Sequence, residues 1–178
     1  LGEADARHNT IKTLCDGSVV LAEPLLTNIK SVADLKPATG TSKALGEVTS
    51  TVEASDQEKQ DLVTAWYVNI NVRSNGVIFV KNGTAISVGT GEQDRVGAID
   101  QAIAKFKTKY EGEEEMEGSV MASDGFFPFP DGVETAAKAG VTAIISPAGS
   151  IKDAAVVTRA NELGVALYHA PERIFSHH

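Results

Sequence analysis

A single cysteine, Cys15, in a chain of 178 residues rules out an internal disulfide framework. The four histidines, His8, His169, His177 and His178, have no Cys/His spacing that would make a structural zinc set. Positive charge is scarce as well. Sixteen basic residues against twenty-four acidic ones leave a net charge of −8, which argues against a broad grip on nucleic-acid backbone or an anionic membrane. No apolar run approaches the roughly 20 residues of a membrane span, and no basic-then-apolar leader opens the sequence. The expectation is a soluble cytoplasmic protein, with neither nucleic acid nor membrane among its partners. With 42% hydrophobic residues, the length suits one ordinary domain, 1–178.

Residues 1–54 carry short apolar pieces separated by turn formers, and two or three short strands are expected there. From Ser55 the pattern sharpens. Ser55 with Glu58 has capping-box spacing, and Leu62, Ala65, Trp66 and Val72 follow at helical intervals, predicting four turns ending near Asn71. Gly76-Val77-Ile78-Phe79-Val80 and Thr84-Ala85-Ile86-Ser87-Val88 flank Asn82-Gly83, the pairing of a tight hairpin. A glycine turn follows at 89–93, where Thr90 and Gln93 have capping spacing. Val96, Ile99, Ile103 and Phe106 then mark the face of a second helix. The acidic run at 110–118 reads as a solvated connection. Beyond it, strands at 118–122, 141–145 and 165–168 alternate with helices at about 132–139 and 152–163. Asp131 with Glu134 and Ser150 with Asp153 are the expected caps, and Gly140 and Gly164 the expected stops. That alternation predicts parallel pairing in an α/β layer structure, with ligands at the carboxyl ends of the strands.

Three loops follow strands and are expected to gather at one edge. The loop at 89–95 offers helix N-terminal amides beside Arg95, suited to an oxyanion, or is a plain turn. The loop at 123–131 holds three of the six phenylalanines. It is either a hydrophobic plug for the core or an aromatic wall for a flat heterocycle, with Asp131 accepting a ligand N–H. The loop at 146–151 either presents free amides to a polar group or is an ordinary turn. His8 is a weak candidate for catalysis, and His177 and His178 read as a solvated tail.

Taken in order, Ser74-Asn75, Gly89-Thr90-Gly91-Glu92-Gln93-Asp94-Arg95-Val96, Ser123-Asp124-Gly125-Phe126-Phe127-Pro128-Phe129, Asp131-Gly132-Val133, Pro147-Ala148-Gly149-Ser150 and Arg173-Ile174-Phe175 resemble one family. It is the bifunctional purine-synthesis enzyme that joins 5-aminoimidazole-4-carboxamide ribonucleotide (AICAR) transformylase to IMP cyclohydrolase. The likeness covers 55–178 as the C-terminal part of the transformylase domain, with 1–54 matched loosely. It implies a three-layer α/β/α, cytidine-deaminase-like domain with a mixed sheet and no zinc. It also implies formyl transfer from 10-formyltetrahydrofolate to the amine of AICAR in IMP biosynthesis. By position, Asn75, Arg95, Phe126 and Arg173 look like AICAR contacts, and Val96, Asp131, Ser150 and Ile151 look like folate contacts. In this family the site forms at a dimer interface, so a homodimer, or a complex with a chain carrying the missing half, is expected.

The departures from the family pattern sharpen the expectation. The AICAR amine is a poor nucleophile and needs a general base and an oxyanion stabiliser. The family provides these with an adjacent Lys-His pair, and no Lys-His dipeptide occurs in this sequence, so no catalytic residue is assigned. Glu92 and Asp94 stand where many members carry Gln and Ser, and two carboxylates beside Arg95 are expected to weaken phosphate binding there. Pro130 replaces a usual arginine on the folate side. The sequence therefore reads as a stand-alone or split half of a transformylase. The alternative is a non-catalytic AICAR- or nucleotide-binding module that has lost the chemistry.

Overall fold

The computed structural model describes residues 10–22, 27–110, 112 and 115–175. The chain opens with β1 (Thr10–Thr13) and β2 (Val19–Ala22), an antiparallel hairpin standing apart from the main sheet. A 3-10 turn at Val32–Asp34 leads to β3 (Lys36–Pro37). A second small hairpin follows, β4 (Thr39–Ser42) with β5 (Gly46–Thr49). Five short strands thus precede residue 54, against the two or three expected. They run two to four residues each and are largely exposed, so no apolar alternation marks them. Gly17 and Gly46 turn the two hairpins at φ of 82° and 68°, a conformation that favours glycine.

Helix α1 (Asp56–Asn69) begins as expected. Ser55 Oγ accepts from Glu58 N–H and the Glu58 carboxylate accepts from Ser55 N–H. Val72 lies beyond its end. Next come β6 (Val77–Lys81) and β7 (Thr84–Gly89), turned at Asn82 and Gly83 with φ of 51° and 76°. These values match the mirror-image turn that an Asn-Gly pair favours. Buried Asp61 of α1 accepts from both turn amides, Asn82 N–H at 2.8 Å and Gly83 N–H at 2.7 Å, fixing the hairpin to the helix. Then follow α2 (Arg95–Tyr110), β8 (Ser119–Ser123), α3 (Asp131–Lys138), β9 (Val141–Pro147), α4 (Asp153–Glu162) and β10 (Ala166–Ala170).

Six strands make one mixed sheet in the order β3-β10-β9-β8-β6-β7. β8, β9 and β10 are parallel, and β6 runs against both β7 and β8. The central strands read as unbroken apolar runs because both faces are covered. Val77, Phe79, Met121, Ile144 and Leu167 point to one core, shared with residues of α2, α3 and α4. Ile78, Val80, Val120, Ala122, Ile145 and Tyr168 point to the other, shared with Leu62, Ala65 and Trp66 of α1. This is the three-layer α/β/α arrangement with a mixed sheet that was expected.

The expected caps of the later helices are corrected. α2 is capped by Asp94, whose Oδ1 accepts from Gly97 N–H at 2.6 Å. Thr90 instead donates its hydroxyl to the Arg73 carbonyl. Neither α3 nor α4 has a side-chain cap; Pro130 and Lys152 stand at those positions. Asp131 already lies inside α3, one residue too late to cap, and Ser150 stands two residues before the cap position of α4. Gly140 and Gly164 do end the helices, with φ of 96° and 71°.

Because β6 opposes β7 and β8 while β8, β9 and β10 run together, the carboxyl ends of β7, β8, β9 and β10 share one edge of the sheet. The segments that follow them therefore meet there.

Candidate ligand-binding site

At that edge lies a cavity of about 480 Å³ lined by Ser74, Asn75, Gln93, Asp94, Arg95, Gly125, Phe126, Pro128, Arg173 and Phe175. Four separate stretches build it: the turn before β6, the loop from β7 into α2, the loop after β8, and the tail after β10. All four residues expected to contact AICAR, Asn75, Arg95, Phe126 and Arg173, fall in it.

Asn75 is oriented by its amide group, which donates from Nδ2 to the Glu92 carbonyl at 2.9 Å. That leaves Oδ1 as the acceptor it offers. Arg173 is exposed, and its guanidinium carbon sits 4.8 Å from the centre of the Phe126 ring, within the range of a cation–π contact. Among the described residues Arg173 forms no ion pair. It is the cation this cavity offers to an anionic group.

Arg95 is differently placed. Its side chain is largely buried and pairs with the fully buried carboxylate of Asp124. Glu92 and Asp94, expected to offset its charge, are engaged elsewhere: Glu92 accepts from Gln101 Nε2 and Asp94 caps α2. The counter-ion is thus Asp124, which lies in the Ser123–Phe129 motif but has no task legible from its sequence neighbours. No local spacing links positions 95 and 124; only the adjacency of β7 and β8 to β6 does. The Arg95 Nε is buried without a hydrogen-bond partner among the described residues.

The phenylalanine loop divides the two readings offered for it. Phe127 is 2% exposed and packs in the core over Gly132 and Ile99, so it is the plug. Phe126 is half-buried and lines the cavity, so it is the wall. Phe129 is 55% exposed and takes neither part.

The folate-side residues are not brought together in this cavity. Val96 lies in the first turn of α2, and Asp131 begins α3, its Oδ1 accepting from the Gly132 amide. Ile151 is 93% exposed in the loop before α4. The amides of that loop are not free, as one reading supposed. Asp153 Oδ2 accepts from Gly149 N–H at 2.8 Å and Ser150 N–H at 3.2 Å, and Ser150 Oγ accepts from Lys152 N–H.

No histidine lines the cavity among the described residues; His8, His177 and His178 lie outside them. His169, on β10, lines a different hollow of about 680 Å³ with Lys36 and Pro171. Its Nδ1 accepts from Thr39 N–H at 3.3 Å. Burial pushes its pKa below the ordinary value, with the charge of Asp153 pulling the other way. Among the described residues no group of three or more His, Cys, Asp or Glu is placed to hold a metal ion, and no helix is long and apolar enough to cross a membrane.

Comparison with known proteins bears on the same residues. Among solved structures, the chain is similar to a dCMP deaminase from the cyanophage S-TIM5, at 21% identity and a TM-score of 0.41 over 65% of this chain and 98% of that one. It is 43% identical over 125 residues to the bifunctional purine biosynthesis protein PurH of Persephonella marina. It is equally similar, at 43% over 125 residues, to the protein of that name from Bacillus cytotoxicus. These alignments take in 70% of this chain but 24% and 23% of the relatives, so the chain spans about a quarter of their length. A family model described as the AICARFT/IMPCHase bienzyme matches residues 22–105, a stretch that includes Asn75 and Arg95. On the relatives and the family model together, the chain belongs to the AICAR transformylase/IMP cyclohydrolase family.

Proposed function

We propose that this chain provides the AICAR-binding part of a formyl-transferring site in purine biosynthesis, with 10-formyltetrahydrofolate as the one-carbon donor. One observation carries the reading. Asn75, Arg95, Phe126 and Arg173 come from four segments of the chain and line one cavity. Each then has a chemically distinct task. The face of Phe126 suits a flat imidazole. Arg173, with no carboxylate partner among the described residues, suits a phosphate, which a guanidinium meets in two parallel hydrogen bonds. Asn75 Oδ1 would accept from a carboxamide or amine N–H. Arg95, neutralised by Asp124, would act as a hydrogen-bond donor to the ring substituents and not as the phosphate ligand.

What the cavity lacks defines the limit of the proposal. Its lining offers no histidine or lysine among the described residues, and transfer to a weakly nucleophilic amine requires a base. The Lys-His pair expected of the family would have to come from outside these 178 residues, on a different chain that carries it or in a longer polypeptide. The same observation favours the second reading, a module that binds AICAR without transforming it. The folate-side assignment of Val96, Asp131, Ser150 and Ile151 belongs to the proposal as residues flanking the cavity, and no step is derived through the folate.

The test is calorimetric titration of AICAR into the purified chain. The expected outcome is saturable binding that Arg173→Ala weakens by about 1.5–3 kcal/mol, the worth of a hydrogen bond to a charged group. An unchanged dissociation constant removes Arg173 from the site.

A further inference from the structure

The cavity is tied together beneath its floor by one residue that does not line it. Asp124 is completely buried at the end of β8. Its carboxylate is shared: Oδ1 pairs with the Arg95 guanidinium, and Oδ2 accepts from Gly76 N–H at 2.9 Å. Its backbone is used on both sides. Asp124 N–H donates to the Gly76 carbonyl at 3.1 Å, and the Asp124 carbonyl accepts from Ile174 N–H at 3.2 Å. Gly76 adjoins Asn75, Ile174 adjoins Arg173, and Phe126 lies two residues after Asp124 in the same loop. Every residue expected to touch AICAR is thus either bonded to Asp124 or within two residues of a group bonded to it or of Asp124 itself.

Space enforces the same arrangement. A Cβ on Gly76 would lie 2.9 Å from Asn69 Oδ1 and 3.2 Å from Asp124 Oδ2, so only glycine lets the strand start close over the carboxylate. The Arg95 Nη2 lies over Gly125, 2.4 Å from where a Cβ would be. Asn69 is also buried and donates from Nδ2 to the Gly76 and Ala122 carbonyls, both at 3.3 Å. A buried carboxylate that accepts from a backbone amide and a guanidinium holds both more firmly than neutral groups would.

We infer that Asp124 is the positioning residue of this site: it sets the direction of the Arg95 guanidinium and the register of the segments bearing Asn75 and Arg173, without touching the ligand. The part of this inference that concerns AICAR rests on the proposed function above; the part that concerns Arg95 does not.

Two measurements separate them. The first is 15N NMR of the Arg95 guanidinium in the ligand-free chain. Held by Asp124, its Nη groups are expected to give distinct, slowly exchanging signals, and these should average in Asp124→Asn. Averaged signals in the unsubstituted chain overturn the inference, whether or not the variant folds. The second is a double-mutant cycle read by AICAR titration, on variants whose melting confirms that they are folded. Asp124→Asn and Arg95→Ala are each expected to weaken binding by about tenfold, the worth of one hydrogen bond. The double variant should bind no worse than Arg95→Ala alone, because Asp124→Asn leaves the backbone bond to Ile174 and an acceptor oxygen for Gly76 N–H in place and removes only the charge that holds Arg95. Additive losses would make Asp124 a general prop of the fold and overturn the positioning role. If the unsubstituted chain does not bind AICAR, the proposed function falls, and the NMR measurement still decides the role of Asp124.

Discussion

Phe126 and Phe127 are neighbours in sequence with opposite tasks, and they show what a single position does and does not reveal. Composition identified the loop as aromatic and rigid but left a plug and a wall as rival readings, because side-chain direction depends on how the loop leaves β8. The structure sends Phe127 into the core and Phe126 to the cavity. Truncation should therefore separate them. Phe127→Ala removes a fully packed ring and is expected to cost about 3–5 kcal/mol of stability. Phe126→Ala should leave the melting temperature within a few degrees of the parent and weaken AICAR binding instead. Thermal melts and titrations on the two variants check this, and equal destabilisation would return Phe126 to the core. Asp124 marks the opposite limit of legibility. Its partner is 29 positions away in sequence, so no periodicity or cap pattern exposes the pair. The charge balance around Arg95 was consequently assigned to Glu92 and Asp94, which are near in sequence and engaged elsewhere.

Elements were legible where a local rule decides and less so where tertiary contacts do. Ser55 and Glu58 form the capping box their spacing announces, and the Asn-Gly hairpin has the backbone its turn requires. Ser55→Ala is expected to cost about 1 kcal/mol, measured by denaturant unfolding; a change below a few tenths would mean that Glu58 alone holds the helix start. Glu58 is more than a cap. Burial pushes its pKa up, but hydrogen bonds from Thr142 and Ser55 outweigh this and hold it below the ordinary value. The expected cap of α3, Asp131, stands one place too late, and that of α4, Ser150, two places too early. Asp153 serves the preceding turn instead, consuming amides that otherwise read as a ligand site. The joint between β10 and β4 gives a pH prediction. His169 accepts from Thr39 N–H and is held neutral by burial, its folded pKa below its unfolded one. Its contribution is therefore intact above about pH 6.5 and is lost as pH falls through the lower folded value. Melting temperatures followed from pH 7 to pH 5 should decline in the parent and decline less in His169→Gln; identical slopes would assign the acid limb to carboxylates such as Glu58.

At the scale of the whole molecule, the fold class followed from alternating strands and helices, and the convergence of loops from the parallel run of β8, β9 and β10. What sequence order alone could not give is how much of a site these loops make. The cavity presents an aromatic face, a guanidinium without an ion-pair partner among the described residues and an amide oxygen, which is a binding inventory. A transferase acting on a delocalised amine needs in addition a group to take its proton and a donor to meet the developing oxyanion. His169 is the described histidine, and it faces another hollow with its Nδ1 already engaged. The chain spans about a quarter of its curated relatives, and the proposed function takes the remaining groups from sequence outside this stretch. The isolated 178-residue chain, supplied with AICAR and 10-formyltetrahydrofolate, is accordingly expected to bind AICAR and release no tetrahydrofolate. Mixing it with a polypeptide that carries the Lys-His segment should start turnover, and that turnover should be lost in Arg173→Ala. Tetrahydrofolate release by the chain alone would contradict this division of labour and place the base within these residues, with His169→Gln and His8→Gln the variants that would locate it.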